Sequence, residues 1–317
     1  MQKSIIHLRV VRLMISLLLA QSALAQTDSK PKTVLVTGAA SGIGQAAAMA
    51  FVSRGYTTYA TDKDTTQMQA LQRLGCRIRC IDVTIDSLMV SQVRRIEAET
   101  GGVDILVNNA GFGQNGVIEE LPIARVRQQF EVNVFGLLRM TQLVLPAMRQ
   151  RKSGRIINIG SVGGEFTTPG ASAYHASKWA LESFTDGMRG ELRQFGIEVV
   201  LIKPGGVYTN FMNTANALYP TPLSDGVYNE FREKFIRQSN AIFDPKKRSF
   251  GVLTPERVAD VIVKAAQARK PKTRYRIGAL AKLTPRIHAL MSNRGFDKFM
   301  LRQFKVSTQK GQSVYND

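Results

Sequence analysis

Thr33-Val-Leu-Val-Thr37, followed at once by Gly38-Ala-Ala-Ser-Gly-Ile-Gly44, decides the fold. A short continuous apolar run that ends in a glycine turn is typical of a strand buried on both faces, as in a parallel sheet. The small-residue stretch beyond it predicts a helix through Arg54, stopped by Gly55. Gly38 permits the tight turn out of the strand, Gly42 lets backbone approach a pyrophosphate, and Gly44 lets the helix pack closely on the sheet. Ser41 and Ile43 complete the turn. The exposed amides and positive dipole end of the following helix favour phosphate groups. Glycines in a turn are often only structural, so the rest of the chain has to supply the weight.

Residues 56–61 predict a second strand closing on Asp62, eighteen residues beyond Gly44. A carboxylate there can accept hydrogen bonds from adenosine ribose hydroxyls and repels a 2′-phosphate, which favours NAD. The neighbouring Lys63 keeps NADP open. Further strands are expected over 77–81, leading to Asp82-Val83, over 104–107, leading to Asn108-Asn-Ala-Gly111, over 155–159 and over 198–202. Helical stretches fall at 65–74, 86–99, 123–149 and 173–195. Right-handed crossovers joining these runs build an α/β fold, a single doubly wound parallel sheet of the Rossmann type with helices on both faces. Such sheets bind ligands at the carboxyl ends of their strands. Residues 32–270 form the expected catalytic domain, and 271–317 a basic helical C-terminal extension.

Tyr174 and Lys178 lie one helical turn apart, and Ser161 sits thirteen residues upstream of the tyrosine at a strand end. A phenol with a pKa near 10 is a poor base at neutral pH. An ammonium on the same helix face, and the positive charge of an oxidised nicotinamide, would lower it. Tyr174 could then exchange a proton with an alcohol or carbonyl while hydride moves, with Ser161 orienting the reacting oxygen. Tyr-x-x-x-Lys by itself occurs in many ordinary helices; the glycine turn, Asn109-Ala110-Gly111 and Ser161 in order are what distinguish this one. His175 follows Tyr174 on another helix face, has no metal partner spaced with it, and is expected to pack.

This set of motifs resembles the short-chain dehydrogenase/reductase family. The resemblance extends over about residues 32–280 and adds Asn133 and Pro204-Gly205-x-Val207-x-Thr209 to the matched positions. It implies four catalytic residues, Asn133, Ser161, Tyr174 and Lys178, with Asn133 holding a water in a proton relay. It also implies that Lys178 binds the nicotinamide ribose, that Asp82 and Val83 contact adenine, and that Asn109 packs near the cofactor. Pro204, Val207 and Thr209 would approach the carboxamide. Members of the family commonly pair through their long helices, so a homo-oligomer (dimer or tetramer) is expected, with Trp179, Leu181 and Phe184 at the interface or in the core.

Residues 205–254 carry Phe211, Met212, Tyr219, Tyr228, Phe231, Phe235, Phe243 and Phe250. In relatives this segment forms the substrate lid, and its aromatics imply a hydrophobic alcohol or ketone. A retinoid, a steroid or a long-chain alcohol would fit. Some of these rings must also pack the lid itself. The alternatives are a non-catalytic dinucleotide-binding sensor or scaffold, which has no need of the four catalytic positions, and a ketoreductase for polar substrates, which the aromatic lid disfavours.

The chain has 317 residues, is 44% apolar and carries a formal charge of +19. Between Lys264 and Lys310 there are thirteen Lys/Arg against one acid, Asp297. Such a tail is a solvated face or meets an anionic membrane surface; the tail resembles those of retinol and 17β-hydroxysteroid dehydrogenase-like members. No pattern for nucleic acid is present. Cys76 and Cys80, at opposite ends of a predicted strand roughly 13 Å long, are too far apart for a disulfide. No metal cluster is expected. Residues 1–25 have the layout of a signal peptide: Lys3, Arg9 and Arg12, an apolar run, then Ala23-Leu-Ala25. That suggests export or a membrane anchor, whereas the need for a dinucleotide suggests the cytoplasm, with a start set too far upstream.

Overall fold

The computed structural model describes residues 30–247 and 249–303. The leader-like segment and the end of the basic tail lie outside these residues. Lys32 opens one compact unit to which every element below belongs.

Seven parallel strands form one sheet in the order β3-β2-β1-β4-β5-β6-β7. They are β1 (Thr33–Thr37), β2 (Thr57–Asp62), β3 (Arg77–Cys80), β4 (Ile105–Asn108), β5 (Gly154–Ile159), β6 (Ile197–Pro204) and β7 (Arg274–Ile277). The order reverses between β1 and β4, which opens a crevice at their carboxyl ends. Helices α1 (Gly42–Val52), α2 (Gln69–Arg73) and α3 (Asp86–Thr100) connect the first half. In the second half come α4 (Ile123–Phe130), a π-helical turn (Glu131–Gly136), α5 (Leu137–Gln150) and α6 (Ser172–Leu192). They are followed by α7 (Phe211–Ala217), α8 (Asn229–Ile242), α9 (Pro255–Gln267), α10 (Ala279–Leu290) and α11 (Asn293–Gln303).

Why β1 is apolar throughout is plain from its neighbours. Successive side chains of a strand point to opposite faces, and helices cover both. Val34 and Val36 join Phe51 of α1 and Val258 and Ile262 of α9 on one side. Leu35 faces the other layer, with Val93 and Ile96 of α3, Val144 and Met148 of α5 and Leu181 of α6. Removing a large side chain from either layer, Phe51 for example, would cost about 3–5 kcal/mol.

Three features differ from the expectation. β7 comes from Arg274–Ile277, inside the stretch read as a basic extension, and pairs with β6 from Leu201↔Arg274 to Pro204↔Ile277. The sheet therefore reaches past residue 270; as a polar edge strand β7 carries no continuous apolar run. The helix over 123–149 is interrupted by the π turn, which hydrophobic spacing does not signal. The 65–74 helix shortens to Gln69–Arg73. Cys76 is buried, Cys80 is exposed and both are free thiols; burial pushes the Cys76 thiol up to about 11.

Candidate active site

The glycine turn closes on the loop after β4. Gly38 has φ +66°, and a Cβ there would lie 2.7 Å from the Ala110 Cα. A Cβ on Gly44 would lie 2.2 Å from the Gly38 carbonyl oxygen, so only glycine fits. Asn109 staples the two loops, its Nδ2 donating to the carbonyls of Thr37 (3.0 Å) and Gly38 (2.9 Å). The Thr37 hydroxyl accepts from the backbone amides of Asn109 and Ala110, each at 3.0 Å. Ser41, the residue before α1, makes no side-chain cap bond to its helix. Its hydroxyl therefore remains available beside the helix amides. A Cβ on Gly42 (φ +56°) would come within 3.0 Å of Thr209 Cγ2, so the loop after β6 reaches across to the turn. Ile43 points into the core layer shared with α9.

Asp62 ends β2 beside this turn. Its Oδ2 accepts from the Ala40 amide at 3.1 Å, while Lys63 is exposed. Asp82 caps its own loop, Oδ1 accepting from the Thr84 amide and hydroxyl at 2.9 and 2.7 Å. Val83 lies against Gly136, where a Cβ would meet the Val83 carbonyl oxygen at 2.6 Å. Gly111 lies beside Asn133, whose Oδ1 would be 3.1 Å from a Cβ there. After Pro204, the Gly205 amide donates to Ile277 of β7 at 3.1 Å, and Val207 forms a bridge with Leu253. These contacts shape a crevice walled by the glycine turn, the loops after β2, β3 and β4, and the 205–209 loop. Amides, glycines that admit close backbone approach and a carboxylate at the end of β2 together suit a dinucleotide.

Ser161 lies two residues past Ile159, the last of β5, and its Oγ accepts from the Gly163 amide at 3.0 Å. Tyr174, in the first turn of α6, has its phenol near enough to the Ser161 side chain for Ser161 to act on its titration. Its ring meets Phe211 of α7 edge-on at 5.2 Å and His175 at 5.6 Å. The residue is half-buried, yet the packing around its phenol is dense enough for burial to dominate its titration. Burial raises the phenol pKa above its ordinary value, and the neighbouring Ser161 side chain offsets this only in part. The expected lowering is therefore not what the protein's own groups produce.

Lys178 lies one turn further along α6. Its Nζ donates to the Ile159 carbonyl at 2.9 Å and lies 5.8 Å from the Tyr174 ring centroid. It is buried, and burial lowers its pKa to about 8. Asn133 sits in the π turn, buried, with Oδ1 accepting from the Phe112 amide at 3.1 Å. Its Nδ2 donates to the Phe112 carbonyl at 3.0 Å and to Ser177 Oγ at 3.1 Å. Ser177 in turn donates to the Tyr174 carbonyl at 2.7 Å. Π turns recur at functional positions because they re-aim a helical residue.

His175 packs, as expected. Its Nδ1 lies 2.7 Å from the Phe166 carbonyl and must carry the proton, so Nε2 accepts from the Thr168 hydroxyl at 2.8 Å. Burial lowers its pKa and keeps it neutral. No cluster able to hold a metal occurs among the described residues.

Two polar networks beneath the site escape sequence reading. Asn108 of β4 donates to Thr141 of α5 and to Asn158 of β5, and Asn158 donates to Thr185 of α6, each at 3.0 Å. The second is charged. Lys203, fully buried on β6, pairs with Glu165 at 2.5 Å and with Glu182, one turn beyond Lys178. Arg276 also pairs with Glu165, and Arg274 with Glu182 and Asp186. Burial works to raise the Glu165 pKa, but Arg276 and Lys203 outweigh it and hold the carboxyl below its usual range. Only the segments' positions in space bring these partners together.

The lid aromatics divide. Phe211 faces Tyr174, whereas Phe231, Phe235 and Tyr219 pack on one another and Phe250 is exposed. A broad depression along α8, lined by Arg232, Arg237, Asn240 and Asp244, contains none of the residues around Tyr174.

Residues 32–219 match the family described as short chain dehydrogenase. The uncharacterized oxidoreductase YusZ of Bacillus subtilis is 35% identical, over 80% of this chain and 91% of its own. A 3-ketodihydrosphingosine reductase of Bacteroides thetaiotaomicron is 32% identical over 80% and 90%, and retinol dehydrogenase 8 of Bos taurus 33% identical over 78% and 81%. Among solved structures, a short-chain dehydrogenase from Streptomyces avermitilis aligns with a TM-score of 0.70 at 30% identity, covering 88% of this chain and 97% of that one. An enzyme of Burkholderia phymatum in complex with NAD aligns at 0.69 with 25% identity, covering 82% and 93%. Serine dehydrogenase complexed with NADP+ aligns at 0.67 with 27% identity, covering 78% and 95%. With this sheet order, this crevice and these relatives, the chain belongs to the short-chain dehydrogenase/reductase family of oxidoreductases, whose structural neighbours bind a nicotinamide dinucleotide.

Proposed function

We propose that the protein interconverts a hydrophobic alcohol and its ketone or aldehyde, with Tyr174 as the general acid/base. The carrying observation is the Tyr174 phenol beside the Ser161 side chain, with its ring edge-on to Phe211. It sits at the sheet end where the glycine turn suits a dinucleotide. A bound nicotinamide supplies the carbon that gives or takes the hydride and, when oxidised, a positive charge. In the reductive direction the phenol gives its proton to the carbonyl oxygen as hydride reaches the carbonyl carbon. In the oxidative direction the phenolate takes the hydroxyl proton back. A phenol held protonated by burial favours the first role. Ser161 orients the reacting oxygen, Lys178 holds the ribose and feeds protons to Tyr174, and Asn133 fixes the Phe112 loop and the start of α6.

Asp62 supports NAD over NADP, because a 2′-phosphate would meet its carboxylate. The apolar ring of Phe211 against Tyr174, and relatives named for 3-ketodihydrosphingosine and retinol, support a long apolar substrate. Trp179 and Phe184 are exposed on α6 and Phe135 on the π turn, whereas Leu181 is core. The first three suit a homo-oligomer paired through these helices. Light scattering of the purified chain tests that pairing. The activity is tested with a panel of retinoids, steroids, long-chain and short polar alcohols or ketones, following NADH and NADPH absorbance in parallel. Turnover confined to polar substrates would overturn the substrate class.

A further inference from the structure

α10 has two unlike faces. Ala281 is buried against the domain. His288 donates from Nδ1 to the Glu165 carbonyl at 3.2 Å and stacks against Phe296 of α11 at 4.3 Å. At 3.6 residues per turn, Leu283, Ile287 and Leu290 fall on the opposite side. Leu290 is 88% exposed, Leu283 45% and Ile287 39%. Scattered exposed aliphatics are ordinary on a soluble protein, but three aligned on one helix face are a docking feature. Lys282 and Arg286 flank the stripe and are exposed. α11 buries Phe296 and Met300 beneath it and exposes Arg294, Lys298 and Arg302. Asp297 is the one acid in the two helices.

We propose that this stripe seats α10 in the interfacial layer of an anionic bilayer. Aliphatic side chains on one face and lysine and arginine beside them are what that layer accepts, the apolar part among acyl chains and the cations at phosphate level. Charge decides between this occupant and a second copy of the chain, since apposing two such faces would bring like-charged flanks together. No helix among the described residues is long and apolar enough to cross a membrane, so the contact is peripheral. Its placement is consequential. Leu280 lies over Gly205 and Gly251, at 3.4 and 2.8 Å from where their Cβ atoms would be. α10 therefore begins beside the loop that runs to Thr209, at the reacting end of the sheet. A docked enzyme would meet substrates dissolved in the bilayer close to its crevice. The proposal goes beyond the proposed activity, and its test does not depend on turnover.

The test uses the full chain with Trp179→Phe, so that an indole introduced by Ile287→Trp is the sole emitter, and vesicles carrying dibrominated acyl chains. With mixed phosphatidylcholine and phosphatidylglycerol, emission should shift blue and be quenched. Phosphatidylcholine alone should leave it nearly unchanged. Leu74→Trp, exposed between α2 and β3, the edge strand opposite β7, should stay unquenched in both, which separates docking of α10 from tethering by another segment. Lys282→Glu with Arg286→Glu should weaken binding by about tenfold or more at low salt. Absence of quenching at position 287, or quenching insensitive to phosphatidylglycerol and to the charge reversals, would overturn the proposal. So would a concentration-dependent blue shift without vesicles, which would mark self-association instead.

Discussion

Lys178 Nζ donates to the carbonyl of Ile159 at 2.9 Å, tying the helix that carries Tyr174 to the strand end that carries Ser161. One buried hydrogen bond thus sets the spacing between the two side chains proposed to meet the reacting oxygen. The lysine is held there at an electrostatic cost, and burial brings its pKa down to about 8 from 10.5.

That cost is measurable. Between about pH 8 and 10.5 the unfolded chain binds more protons than the folded one at this site, so its contribution makes stability rise with pH across that window. Lys178→Met removes the titration. Relative to the parent, the variant should be most favoured at neutral pH, and its advantage should shrink as pH rises toward 10. Denaturant melts of both proteins at pH 7 and pH 9.5 check this; a pH-independent difference would contradict it. The variant should also lose turnover.

Asp62→Ser should raise catalytic efficiency with NADP and lower it with NAD, changing the ratio about tenfold or more, as expected for a lost carboxylate–phosphate repulsion. Steady-state kinetics with both cofactors measure it. Because Asp62 also accepts from the Ala40 amide, a small loss of Tm should accompany the switch. An unchanged cofactor ratio would remove the carboxylate from the NAD reading.

Gly44→Ala forces a Cβ to within 2.2 Å of a backbone oxygen. Overpacking of this kind costs about 1–3 kcal/mol, and the displaced turn should weaken dinucleotide binding. Calorimetric titration with NADH, paired with a thermal melt, separates the two effects.

The Lys203 cluster makes a different prediction. Glu182→Gln leaves a fully buried ammonium with one carboxylate instead of two, and should destabilise by about 3 kcal/mol. Lys203→Met removes the buried cation and leaves Glu165 and Glu182 with Arg276 and Arg274, so it should cost less. Urea melts of the two variants test the order, and the reverse order would contradict the assigned pairing.

What could be read from sequence was local. The glycine turn, Asp62, Ser161 and the Tyr174–Lys178 spacing are short-range patterns whose chemistry follows from residue type and separation. Asn133 owed its place to the family resemblance alone, because its hydrogen bonds go to Phe112 and Ser177, 21 and 44 residues away. The π turn around it is a change of hydrogen-bond register inside an otherwise amphipathic helix. β7 looked like a basic tail because an edge strand needs only its partner, not an apolar run on both faces. The Lys203 network was out of reach for the same reason: Glu165 and Arg276 are 111 residues apart. The Tyr174 titration depends on Phe211 and His175 packing around the ring, which spacing along α6 does not reveal.

The most direct measurement is turnover by Tyr174→Phe beside NADH binding by the same variant. Removing only the phenolic oxygen should leave dinucleotide affinity and Tm near those of the parent while kcat falls by about 10²–10⁴-fold, the range of a lost general acid/base. Turnover within a few-fold of the parent, on a substrate the parent uses well, would contradict the assignment of proton transfer to Tyr174.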